Sequence, residues 1–236
     1  MAKHYWTILI TYIVMQLSGV VGVPLLQQLN VADPIVTWSV FSFLTALIIM
    51  LFLLRSTPDV PFERSARVSP GQAIGWSVLG VFMAYASQII AAMIEMNVFG
   101  IDPGSENTEM LIEVAKASPI FIIVTSIIGP ILEEIVFRKV IFGSLYKRFN
   151  FWIAGILSSV IFAAIHFDFS HILIYTAMGL TFAFLYVKTK RLIVPIIAHM
   201  TMNTFVVLIN VYFADDIMEM EKQLNQTQSF IGGLFS

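Results

Sequence analysis

Seven apolar stretches of roughly twenty residues, separated by short polar connections, leave this chain few ways to fold. That length is what a helix needs to cross a hydrocarbon core about 30 Å thick. The stretches run over residues 5–26, 34–54, 71–96, 118–146, 151–166, 170–187 and 192–213. Of the 236 residues, 58% are hydrophobic and 12% charged, about half the charged share of a soluble domain. The fold class expected is therefore all-α: one polytopic membrane helix bundle of about seven transmembrane helices. It occupies residues 1–214, with a polar, acidic tail at 215–236.

The connections sort by charge. Lys3, the 55–67 segment with Arg55, Arg64 and Arg67, the pair Lys147/Arg148, and Lys188/Lys190/Arg191 fall on one side of a seven-span chain. The segment after the third stretch, with Asp102, Glu106, Glu109 and Glu113, falls on the other, as do Asp168 and the tail. The positive-inside rule then makes the N-terminus cytoplasmic. Residues 105–117 read as a short amphipathic helix at the interface. The N-terminal stretch has no small-x-small cleavage site and reads as a retained first span. The absence of cysteine excludes thiolate metal sites and a cysteine nucleophile. A formal net charge of −2 gives no hint of nucleic-acid binding.

Inside this apolar frame lie a few ionisable groups. The fourth stretch contains Glu133, Glu134, Arg138 and Lys139, and the fifth ends at His166. The seventh carries His199 and, four residues on and on the same face, Asn203. Each charge at a helix centre costs about 2.5–3.5 kcal/mol on insertion scales, so Glu133, Glu134 and Arg138 need compensation. At a rise of about 1.5 Å per residue, Glu133, His166, His199 and Asn203 reach depths at which they can share one polar intramembrane cavity.

Glu134 and Arg138 stand at i and i+4 with Glu first, the favourable order for a helical ion pair. Glu133 is turned about 100° away. Either Glu134 pairs with Arg138 while Glu133 faces the cavity, or Arg138 reaches both carboxylates. Lys139 can snorkel toward the interface, and His4 and His171 sit at span ends and read as interfacial. A carboxylate and an imidazole on facing helices can share a water, take its proton and aim it at a carbonyl. A second imidazole and an amide can donate to the oxyanion that forms. Zinc is the competing chemistry, since two His and a Glu are a known ligand set. No His-Glu-x-x-His helix is present, however, and the Glu would lie beside an Arg.

Three segments, Glu133-Glu134-Ile-Val-Phe-Arg138, Phe162-Ala-Ala-Ile-His166 and His199-Met-Thr-Met-Asn203, carry a resemblance. Together they resemble the signature of the CAAX-protease and bacteriocin-processing (Abi) family of intramembrane glutamic peptidases: Glu-Glu-x-x-x-Arg, Phe-x-x-x-His and His-x-x-x-Asn. The likeness covers residues 119–205. It implies that Glu133 and His166 activate the attacking water and that His199 and Asn203 form the oxyanion hole. Glu134 and Arg138 would support the site, and Phe162 would line or pack it. Many members have Gly after the motif arginine, where this chain has Lys139.

The expected function is thus an intramembrane endopeptidase of a bacterial plasma membrane, acting on a peptide or membrane-protein substrate without a cofactor. The alternative is a non-catalytic immunity or scaffold protein that binds a peptide or partner with the same fold. A transporter is the weakest reading, since no internal repeat signals alternating access.

Overall fold

The computed structural model describes residues 3–213 apart from 103, and residue 216. The tail expected at 215–236 otherwise lies outside the described residues. All seven apolar stretches fold as helices. We number the elements α1 (Lys3–Gln28), α2 (Pro34–Arg55), α3 (Pro70–Phe99), α4 (Glu106–Ala117), α5 (121–145), α6 (Phe151–Ala164), α7 (Ile172–Thr189) and α8 (Ile193–Tyr212). Among the described residues there is no strand. The architecture is a polytopic helical membrane bundle.

Helices α1, α2, α3, α7 and α8 are long and apolar enough to cross a membrane, and α6, with 14 residues, is shorter. The outward faces of the long helices are apolar. Val20, Val21, Phe52, Phe82 and Val98 are all largely exposed, as expected of side chains that meet lipid tails rather than water.

Local sequence sets the helix ends. Pro34 and Pro70 open α2 and α3 at the position where a missing N–H goes unnoticed. Ser69 caps α3 by accepting from Gln72 N, and the Gln72 side chain accepts from Ser69 N in return. Asn150 caps α6 through Ile153 N at 3.0 Å. Gly100, left-handed at φ 67°, ends α3. The short helix expected at 105–117 is present as α4, capped by Ser105. Its inner face packs with α2, α5 and α8 through Leu111, Val114 and Ala115.

Helix α5 is the central element, packed against α1, α2, α6, α7 and α8. It is not a plain α-helix. Val124–Ile128 and Ile135–Phe142 are π-helical, flanking the α-helical Gly129–Glu134. In the first π turn Gly129 N donates to Val124 O, five residues back. Pro130 has no N–H to continue an α ladder there. Such widened turns are found mostly at functional sites. Here they bracket the carboxylates of the motif.

The basic connections meet at one end of the bundle. Arg191 Nε donates to Val68 O at 2.7 Å, Lys190 Nζ to Ala66 O, and Lys147 sits over the Tyr5 ring. At that end Lys139 departs from the expectation that it snorkels. It is 6% exposed and forms a buried ion pair with Glu63, with Asp59 3.6 Å away. Glu63 also accepts from Val60 N and from the Tyr186 hydroxyl. A buried cation with a carboxylate in reach has no need to seek water.

The opposite end is tied by Glu95. One of its oxygens accepts from Leu173 N and Ile174 N in the first turn of α7, and the other from His171 Nδ1 at 2.8 Å. The second ring nitrogen of His171 meets the Gly104 carbonyl. His171 is therefore a buried link between α3, α7 and the 100–105 segment, not an interfacial side chain. Glu95 makes the difference, because its carboxylate sits against the positive end of the α7 dipole.

Candidate active site

Glu133 and Glu134 diverge from α5 as neighbouring helical residues must, and their environments differ accordingly. Glu134 and Arg138 are fully buried behind the cavity wall, with Arg138 Nε 3.1 Å from Glu134 Oε2. The pair is close enough to be ionic but is not aligned as a hydrogen bond. The guanidinium lies 4.9 Å from the Phe162 ring centroid and 5.6 Å from that of Phe182. Its Nη atoms meet no acceptor among the described residues, so these ring faces and Glu134 hold the charge. Desolvated cation–π contacts of this kind contribute about 2 kcal/mol. Of the two arrangements left open above, the observed one pairs Arg138 with Glu134.

His199 joins the two carboxylates. Its Nδ1 lies 3.1 Å from Glu134 Oε1 and its Nε2 3.8 Å from Glu133 Oε2. An ionised carboxylate only accepts, so Nδ1 carries a proton. Glu133 itself is partly open, its side chain 19% exposed into a cavity of about 580 Å³. Phe162, His166, His199 and Asn203 line the same cavity. Glu134 and Arg138 do not.

His166 stands just past the end of α6, before Phe167 in the left-handed region at φ 55°. Its Nδ1 donates to Phe162 O at 2.8 Å. A carbonyl can only accept, so Nδ1 carries a proton, and in the neutral ring Nε2 is then the nitrogen with a free lone pair. Asn203, one turn beyond His199 on α8, donates from Nδ2 to Thr125 O at a long 3.4 Å. The four side chains come from α5, the end of α6 and α8.

The rest of the lining mixes apolar side chains such as Phe43, Phe121, Met178 and Met202 with polar groups toward the acidic end. The latter include Asp102, Ser105 and Asn107. Glu95 and Tyr175, which no sequence signal singles out, line it too, as does His171, which by sequence reads as interfacial. A lone Glu at a span end carries no signal of its own. Its partner, 76 residues away, is visible only in three dimensions. Among the described residues no three His, Cys, Asp or Glu side chains are grouped to hold a metal ion.

Residues 115–205 match the model of the family described as "Type II CAAX prenyl endopeptidase Rce1-like". Over their whole lengths, the chain and a "Putative membrane peptidase YdiL" of Bacillus subtilis are 48% identical. The chain is 36% identical to "Membrane-embedded CAAX protease MroQ" of Staphylococcus aureus, over 93% of this chain and 95% of the other. A shorter match, 35% identical over 83 residues, is to "UPF0177 protein YxdF" of Lactococcus lactis. No solved structure matches significantly. With one relative alike from end to end and the motif region matched by the family model, the chain belongs to the CAAX-protease and bacteriocin-processing family of membrane peptidases.

Proposed function

We propose that this membrane peptidase is an endopeptidase of the glutamic type, hydrolysing a peptide bond inside the bilayer without a metal ion. One observation carries the reading: Glu133, His166, His199 and Asn203, from three separate parts of the chain, line a single cavity. Glu133 and the unprotonated Nε2 of His166 take the proton of a water molecule as its oxygen attacks the carbonyl carbon. Negative charge then builds on the carbonyl oxygen, and His199 Nε2–H and Asn203 Nδ2–H donate to it. The tetrahedral species collapses, the C–N bond breaks, and the proton taken from water passes to the leaving nitrogen. The products are an amine and a carboxylic acid, which then releases the second water proton to become a carboxylate.

For His199 to donate in this way, Nε2 must be protonated as well as Nδ1. The charges then balance, with two carboxylates against a guanidinium and an imidazolium. Glu134 and Arg138 act from behind by holding His199 Nδ1, and Phe162 packs beneath the guanidinium. The substrate is a peptide or membrane-protein segment, apolar enough to suit the Phe- and Met-lined part of the cavity. The site lies in a bacterial plasma membrane, with the N-terminus and the basic connections cytoplasmic.

The test uses cells. Membranes lacking the chain, and membranes carrying its Glu133→Ala variant, are expected to accumulate the same uncleaved precursors by comparative peptide proteomics. Full processing by the variant would support a non-catalytic immunity or scaffold protein instead. Processing by purified wild-type chain should persist in excess chelator. Loss of activity that added zinc restores would overturn the metal-independent step.

A further inference from the structure

Helix α7 carries none of the motif residues, yet it lays one aromatic ring against each motif imidazole. Tyr175 stacks on His166, with centroids 4.2 Å apart and planes 25° from parallel. Phe182 stacks on His199 at 4.7 Å and 20°. The two rings are seven residues apart and so share one face of α7. Both rings are buried: Phe182 is fully enclosed, and Tyr175, 8% exposed, also borders the cavity. The Tyr175 hydroxyl is held further by Ser105 Oγ at 3.2 Å and by Asn107 Nδ2, which donates to it at 3.5 Å.

We propose that Tyr175 and Phe182 are positioning residues for the two imidazoles, Tyr175 fixing the plane of His166. The proposal rests on the peptidase reading above, in which His166 Nε2 takes a proton. Rotation about χ2 of a histidine is broad and roughly two-fold. A single hydrogen bond at Nδ1 therefore leaves the ring free to rock about that bond. A flat ring stacked along the face of His166 removes that freedom and keeps Nδ1 on the Phe162 carbonyl. The hydroxyl ties the stacked ring to the start of α4, so the docking of α4 is felt at His166. Phe182 acts likewise at His199 and also borders the Arg138 guanidinium.

A side chain that merely filled space would be replaced by Leu or Met with little consequence for the imidazole. That difference is testable, because the chain has only four histidines. In nitrogen-15 histidine spectra of the full chain in detergent, His166 is expected to show protonated Nδ1 and unprotonated Nε2. Tyr175→Phe keeps the ring and should keep that tautomer. Tyr175→Leu and Tyr175→Met should average the two tautomers. Met refills the volume with a flexible chain, so it decides the matter if the Leu variant does not accumulate.

Hydrolysis of the quenched-fluorescent peptide that the wild type cleaves fastest should follow the spectra. We expect kcat to fall about tenfold to a hundredfold in the Leu and Met variants, with KM within about threefold, and Phe to restore it. An unchanged His166 tautomer in the ringless variants, or wild-type kcat, would overturn the proposal. Glu133→Ala is run alongside. If it cleaves normally, the peptidase reading falls, while the tautomer spectra still judge the role of Tyr175.

Discussion

Glu134 and Lys139 show how far single residues are legible. The pairing of Glu134 with Arg138 is written in their spacing, because i and i+4 on a helix are neighbours. Spacing alone does not say that Glu133 would be left to the cavity, since that depends on which face of α5 meets α6 and α8. Lys139 is opaque for a different reason: its partner Glu63 lies 76 residues earlier, in a polar connection that reads as solvent-exposed. The buried pair carries a clear expectation. Lys139→Met strands a carboxylate that is 5% exposed and should lower stability by about 3 kcal/mol, the cost typical of breaking a buried pair. Lys139→Met with Glu63→Gln should recover much of it. A double-mutant cycle on unfolding in detergent measures both, and equal losses in the single and double variants would contradict the pairing.

At the scale of elements, runs of apolar residues located the helices, because burying backbone polar groups in lipid leaves an isolated segment no other option. Neither the length of a run nor its composition announces a π turn. The first in α5 shows only as Gly129 N bonding back to Val124 O, and the second ends with Gly143 N bonding back to Arg138 O. Close approach between α6 and α7 is equally invisible in a run of small residues. A Cβ placed on Gly179 would sit 2.8 Å from Ser159 Cβ and 3.2 Å from its Cα, neither of which is the end of a flexible side chain. Gly179→Ala should therefore force α6 and α7 apart and destabilise the chain by about 1–3 kcal/mol. Its thermal midpoint in detergent should fall, whereas Gly75→Ala, which meets open space, should leave the midpoint unchanged or higher. An unaffected Gly179→Ala would show that the two helices are not in close contact.

Across the whole molecule, the sequence sorts basic from acidic connections, and the fold gathers the basic ones at one end through contacts such as Arg191 with Val68 and Lys147 with Tyr5. The three motifs are also legible as a set, since each lies on a different apolar stretch and compatible depths let them meet. What holds them in register is not legible. Glu95 with His171, Glu63 with Lys139, and the rings of α7 all act across distances that no local pattern encodes. Peptide hydrolysis in this cavity requires Glu133 as the base that activates water. The most direct measurement is the rate of peptide hydrolysis by purified Glu133→Gln chain in liposomes, beside the wild type. Gln keeps the shape and loses the proton acceptor, so the rate should drop by at least about a hundredfold, the lower end for a general base. A folded Glu133→Gln chain that cleaves at the wild-type rate would contradict the account.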